Sequence, residues 1–149
     1  MKVGEACNRE VVIVDRKATI ADAAKLMRTC HVGDLVVVEA RPIGRIPVGI
    51  LTDRDIVVEL IAKEVDFQSV SIEDCMTFNL LQAREEDDLQ EILERMRARG
   101  VRRIPVVSDN GVLQGILTLD DIIEVIGEQV SNLVTLMKIG QQHEKQIRP

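Results

Sequence analysis

A chain of 149 residues is long enough for one ordinary domain or for two very small ones that share a core. With 46% apolar and 30% charged residues it is not a disordered chain, and a net charge of −6 with only two aromatic residues, Phe67 and Phe78, excludes nucleic acid as a partner through phosphates or base stacking. No apolar run approaches the roughly 18 residues of a membrane span, and MKVGEACNRE has no hydrophobic signal core, so a cytoplasmic protein with no membrane partner is expected.

In chain order, VVIV (11–14) reads as a short strand leading into a helix with Ile20, Ala23, Ala24 and Met27 at helical spacing. LVVVE (35–39) and PVGIL (47–51) read as two strands joined by a long loop with Pro42, Gly44 and Pro47. A helix then starts after Thr52, with Ile56, Val57, Leu60 and Ile61 expected toward a core. The order returns with the strand LLQA (80–83), a helix carrying Leu89, Ile92, Leu93 and Met96, and the strands IPVVS (104–108) and LQGIL (113–117). Acidic residues Glu85 to Asp88 crowd the start of that helix, as the macrodipole favours. Asn110-Gly111 between the last two strands signals a two-residue hairpin. The final helix, after Thr118, carries Ile122, Ile123, Val125 and Ile126 toward a core, and beyond Gly127 an amphipathic stripe of Val130, Leu133, Val134 and Met137 continues, able to dock on its own body or on a partner chain.

The two halves are one unit written twice. Shifted by 69 residues, Met27, Arg28, Val32, Val37 and Val38 fall on Met96, Arg97, Val101, Val106 and Val107. Shifted by 66, GILTDRDI (49–56) falls on GILTLDDI (115–122). The expected fold class is therefore α+β: two β-α-β-β-α repeats packed sheet to sheet with pseudo-two-fold symmetry, since about 60 residues are marginal alone. The divisions are 3–65, 70–128 and a helical tail 129–149.

Cys7, Cys30 and Cys75 form no CxxC pair and read as buried or half-buried thiols of a reducing compartment. His31 and His143 have no ligand-spaced partner, so no metal site is expected. Thr52 with Asp55, and Thr118 with Asp121, have capping-box spacing, each cap stabilising its helix by about 1 kcal/mol. Gly49 and Gly115 inside strands mark a close approach by a ligand or by another backbone. The same hydroxyl, carboxylate and helix-start N–H groups suit a ribose diol with phosphates on neighbouring donors, and the residues alone leave cap and ligand site both open.

The doubled unit, with VGDLVVVE, VGILTDRDIV and VRRIPVVSDNGVLQGILTLDDII, resembles a tandem pair of CBS (cystathionine β-synthase) domains, a Bateman module, over residues 3–128. The resemblance implies a flattened regulatory body, usually a homodimer, with adenine nucleotides or S-adenosylmethionine bound in clefts between the repeats. It puts Asp55 and Asp121 on ribose hydroxyls and Thr52 and Thr118 toward phosphates. Members that bind phosphorylated adenosine often carry basic residues where this chain has Arg102-Arg103 in the second repeat but Gly33-Asp34 in the first. The expectation is one competent cleft, using Thr118, Asp121, Gly115, Arg102 and Arg103, and a weaker or empty one with Thr52, Asp55, Gly49 and Arg54. The ligand is expected to be AMP, ADP or ATP, with S-adenosylmethionine or NAD(H) as alternatives, no required cofactor, and an unidentified regulated protein as partner. A ligand-free scaffolding dimer is the competing reading. No nucleophile–base pair and no phosphate-cradling loop speaks for an enzyme.

Overall fold

The β-branched residues Val36 to Val38, and Ile104, Val106 and Val107, form the centres of two three-stranded sheets in the computed structural model, which describes residues 1–78 and 80–149. The first sheet is β1 (Ile13–Asp15), β2 (Asp34–Arg41) and β3 (Gly44–Thr52); the second is β4 (Ala83–Arg84), β5 (Arg103–Val107) and β6 (Leu113–Thr118). In each, the first strand pairs parallel to the second across a helical crossover, α2 (Ile20–Cys30) or α4 (Leu89–Arg99), and the second pairs antiparallel with the third. The helices α1 (Val3–Ala6), α3 (Asp53–Ile56) and α5 (Leu119–Ile147) complete the fold, and a π turn, Val57–Ile61, prolongs α3. The chain is thus α+β, two copies of one unit. Among the described residues no helix is long and apolar enough to cross a membrane.

Three apolar clusters hold the sheets and helices together. The first repeat buries Val14, Ile20, Leu35, Val37 and Leu51, and the second buries Leu89, Ile92, Ile104, Val106 and Leu117. Val36, Val38 and Ile116 form a smaller cluster with Val11, Ile13 and Leu113, drawing on both sheets. A fully buried leucine such as Leu51 or Leu117 stabilises by roughly 2 kcal/mol. Packing units and sequence repeats differ, however. Val3 and Ala6 of α1 belong to the second repeat's core, and their counterparts 69 residues on, Ile72 and Cys75, belong to the first repeat's core. The segments that lead into each repeat have been exchanged. Backbone bonds fix the first exchange: Val3 N–H donates to Asp87 O and Gly4 N–H to Glu85 O, both at 2.9 Å. The acidic run 85–88 therefore does more than offset a helix dipole. Glu85 and Glu86 pair with Arg9 and Lys2, and Asp88 caps α4 by accepting the Glu91 N–H at 3.2 Å.

Several expected details move. The lead strands start later, at Ile13 and Ala83, and the hairpins trade character. The first closes tightly, Arg41 opposite Gly44, leaving only Pro42 and Ile43 in the turn. The second is the looser one: Gly111 N–H bonds to Ser108 O, Gly111 takes a φ of 82°, and Asn110 stays at negative φ, which fits a type I turn closed by a glycine bulge rather than a two-residue turn. The final helices bury only half of their apolar residues. Leu60 and Ile122 are buried and Ile56 and Val125 half-buried, while Val57, Ile61, Ile123 and Ile126 face solvent. Cys75 is buried and Cys7 half-buried, but Cys30 is exposed.

Helices α2 and α4 close identically, with Val32 N–H to Met27 O and Val101 N–H to Met96 O at 3.1 Å, around a left-handed residue. In α4 it is Gly100, at φ 66°; in α2 it is His31, at φ 55°, where a side chain is strained. Replacing His31 with glycine should raise unfolding free energy by about 1 kcal/mol, measured by denaturant titration. Alkylation provides a second check. Burial pushes the Cys7 and Cys75 thiols up, which disfavours the reactive thiolate, so iodoacetamide should label Cys30 first and mass spectrometry should find Cys75 last.

Candidate functional site

The exchanged lead segments build the site. Asn8 exchanges two backbone hydrogen bonds of 2.9 Å with Ile116 on β6, and Thr77 pairs in the same way with Ile50 on β3. Each crossing passes over a glycine. A Cβ on Gly115 would lie 2.8 Å from the Asn8 carbonyl oxygen, and one on Gly49 would collide with the Met76 side chain. The close approach signalled by these glycines is thus made by the chain itself. A register shift just before each glycine, at Val48 and Gln114, bends β3 and β6 where the lead segment joins.

The first capping box closes reciprocally, and in the second Thr118 caps α5 through its hydroxyl alone. The Asp55 N–H donates to Thr52 Oγ1 at 3.0 Å and Thr52 N–H to Asp55 Oδ2 at 2.9 Å. In the second repeat the Asp121 N–H donates to Thr118 Oγ1 at 3.1 Å, and that hydroxyl donates to Asp121 Oδ2 at 2.8 Å. The other carboxylate oxygen of each aspartate stays outside its box. The helix-start amides are less available than expected for phosphate. In α3 the Asp53, Arg54 and Asp55 N–H groups go to Gly33 O, Asp53 Oδ1 and Thr52 Oγ1; in α5 the Leu119 N–H goes to Arg102 O at 2.8 Å.

Two clefts lie between the repeats, and they are opposite in charge. The larger, about 480 Å³, is lined by Thr52 and Ile50, by the segment Thr77, Phe78, Leu80 and Leu81, and by Arg99 to Ile104. Among the described residues it is lined by three arginines, Arg99, Arg102 and Arg103, and by no carboxylate residue. Its pseudo-symmetric partner, about 240 Å³, is lined by Thr118, Asp121, Ile116, Val11, Val12 and Val32 with Glu10, Asp34 and Asp120, and contains no basic residue. A cavity of about 150 Å³ joins Asp34, Arg102 and Arg103 to Thr118, Leu119 and Asp120.

This grouping differs from the expected one. The only cavity that Arg102 and Arg103 line together with Thr118 is that small joining one, and they share the large cleft with Thr52; Asp121 lies with acidic residues instead. The physical reason is the pairing at the sheet ends. Asp34 stands opposite Thr52 in the first sheet and Arg103 opposite Thr118 in the second, and the packing of sheet on sheet then exchanges them across the pseudo-axis. Asp34 and Arg103, the two unequal positions, meet directly, with Arg103 Nη1 3.7 Å from Asp34 Oδ1. Arg103 Nε is shielded from solvent and has no acceptor among the described residues. Asp55 stands beside Thr52 without lining the large cleft, and Arg54 is exposed and lines neither. Phe78, Leu80, Leu81 and Arg99 were not anticipated. The signal was present in the 69-residue shift, which makes Leu80 and Leu81 the counterparts of Val11 and Val12.

Comparison with known proteins agrees with this architecture. The CBS domain family model matches residues 3–62 and again 72–128, and the chain belongs to that family as a tandem pair. It is 31% identical to an uncharacterized protein, MK0525, of Methanopyrus kandleri over 142 residues, 95% of this chain and 71% of that one. It is similar to the CBS domain pair of protein MJ0100, solved in complex with 5′-methylthioadenosine and S-adenosyl-L-methionine, with a TM-score of 0.73 and 25% identity over 87% of this chain and 98% of that one. A hexameric CBS-CP12 protein from bloom-forming cyanobacteria has a TM-score of 0.69 at 26% identity, over 83% of this chain and 69% of that one.

The crossing over Gly115 leads to a direct test. Gly115→Ala should destabilise by roughly 2–3 kcal/mol, because backbone opposes the new methyl, and Gly49→Ala by less, because the Met76 side chain can turn aside. Gly127→Ala, in open space on a helix, should stabilise by about 1 kcal/mol in the same denaturant series.

Proposed function

We propose that this CBS pair is a sensor module for a phosphorylated adenosine ligand, AMP, ADP or ATP, bound in the cleft of Thr52, Arg99, Arg102 and Arg103. The observation that carries this reading is the charge contrast among the described residues: three arginines and no carboxylate line one cleft, four carboxylates and no cation the other. Planar guanidinium groups bind phosphate in pairs of parallel hydrogen bonds. Ile50, Leu80, Leu81 and Val101 give the same cleft an apolar wall for a base, with Phe78 at its edge. Its volume lies within the usual range of small-molecule sites, about 300–1,000 Å³. Thr52, with Asp55 behind it, serves the ribose. The complex of the MJ0100 domain pair supports an adenosyl group as the common element of such ligands.

Binding draws arginines of the second repeat and Thr52 of the first onto one ligand, so occupancy changes how the repeats sit and signals to a regulated partner, in the cytoplasm where adenylates are held. Self-assembly is part of this reading, as in the hexameric relative. Responding to cellular adenylate takes a dissociation constant from micromolar to millimolar, about 4–8 kcal/mol, within reach of a few charged hydrogen bonds. The acidic cleft favours a second ligand class, a cationic adenosyl compound such as S-adenosylmethionine.

Calorimetry and thermal shift with AMP, ADP, ATP, NAD(H) and S-adenosylmethionine test both assignments. A phosphorylated adenosine should raise the melting temperature, since a ligand of the native state stabilises it. Arg102→Ala should weaken that binding about 10- to 100-fold, one charged hydrogen bond's worth, while Asp121→Ala leaves it unchanged. Loss of nucleotide binding in Asp121→Ala alone would move the site to the acidic cleft, and a panel without any stabilising ligand would sink the sensor reading.

A further inference from the structure

The two clefts share walls. Arg102 and Arg103 line both the large cleft and the small joining cavity, while Asp34, Thr118 and Asp120 line both that cavity and the acidic cleft. The Asp34–Arg103 pair therefore stands where the three spaces meet. Its main chain is pinned. Asp34 and Arg103 open β2 and β5, in register with Thr52 and Thr118, and the residue before each accepts a helix-start N–H: Asp53 N–H to Gly33 O at 2.9 Å and Leu119 N–H to Arg102 O at 2.8 Å. The two side chains are freer. Arg103 is 33% and Asp34 26% exposed, and 3.7 Å between Nη1 and Oδ1 is too long for a hydrogen bond, so the contact is Coulombic and fixes no geometry. Among the described residues, Asp34 is the one carboxylate that pairs with Arg103.

A guanidinium in this position has two claimants, the carboxylate on the acidic side and whatever anion enters the basic cleft. We propose that Asp34 and Arg103 couple the two clefts: an anion held in the basic cleft draws Arg103 off Asp34, and the carboxylate left without its counter-ion raises the affinity of the acidic cleft for a cation. The identities of the ligands rest on the sensor reading, whereas the coupling rests on the shared pair alone. Linkage makes the effect reciprocal, because a cation beside Asp34 replaces Arg103 there and frees it for phosphate. Charge sets the sign. A ligand that interacts equally with both positions of Arg103 shifts nothing, so the pair responds to a phosphorylated ligand and a cationic one present together. Partial exposure places the coupling near the lower end of the usual range, about 5- to 10-fold.

Isothermal titration calorimetry of the intact chain with inorganic pyrophosphate and S-adenosylmethionine measures it. Each probe should bind about 5- to 10-fold tighter when the other is saturating, and Asp34→Asn should bring that ratio close to one. Asp34→Asn alone should also tighten pyrophosphate about threefold, although Asp34 does not line the large cleft, because Arg103 is no longer shared. Asp53→Asn removes the same charge beside Thr52 from a carboxylate that does not pair with Arg103, and should change pyrophosphate affinity by less than about twofold. A wild-type ratio of one, a ratio that survives Asp34→Asn, equal gains from the two variants, or failure of either probe to bind the wild type overturns the coupling. ADP in the same titrations separates the two readings. ADP binding that ignores S-adenosylmethionine keeps the sensor and rejects the coupling; coupled pyrophosphate and S-adenosylmethionine without binding of any adenosine phosphate does the reverse.

Discussion

Two backbone crossings organise this protein. Asn8 pairs with Ile116 and Thr77 with Ile50, each segment lying on the sheet of the repeat it does not lead into. Because an unpaired buried backbone group is costly, each crossing both satisfies a sheet edge and ties one repeat to the other. Gly49 and Gly115 are the conditions for it, since a side chain at either place would occupy the space of the crossing segment. Val3 and Ala6 on one side, and Ile72 and Cys75 on the other, then bury themselves in the opposite core. Neither repeat has a complete core of its own, so unfolding of one removes part of the other.

The same crossings create the clefts. Thr77, Phe78, Leu80 and Leu81 on one side, and Asn8, Glu10, Val11 and Val12 on the other, each form one wall of a groove whose other side comes from both repeats. The duplicated Thr-x-x-Asp boxes are spent first on helix starts: their backbone N–H groups and one carboxylate oxygen are engaged within the chain. What differs between the clefts is therefore carried by the few positions the duplication did not preserve. Arg103 against Asp34 is the sharpest of these, and the two side chains, at equivalent places in their repeats, face each other across the pseudo-axis. One ion pair thus stands between a basic groove and an acidic one. At this partial exposure its direct contribution to stability is small, and its consequence is the sorting of charge.

The outward faces follow from incomplete burial. The helices after Thr52 and Thr118 cover the core with Leu60 and Ile122, leaving Val57, Ile61, Ile123 and Ile126 in water. Periodicity alone could not assign those sides, because these helices are apolar over more than the stripe a single core can take. In α5 the surplus continues past the body, where Val130, Leu133 and Met137 are exposed.

The duplication, the helical and strand periodicities, the caps at Thr52 and Thr118, and the α+β class were all legible in the chain, because they depend on spacing between near neighbours. Strand ends, hairpin lengths and the side of the last helices were less so, since pairing partners set them: Pro42-Ile43 can close a two-residue turn only because Arg41 and Gly44 pair, and Asn110-Gly111 opens into a bulge because Ser108 and Val112 do. The candidate residues Thr52, Asp55, Thr118, Asp121, Arg102 and Arg103 could be named from sequence, yet their grouping into clefts could not. It depends on which repeat each lead segment crosses and on how two sheets face each other. Sequence determined the two units and their unequal charges; the packing of one unit on the other decided which charge serves which cleft.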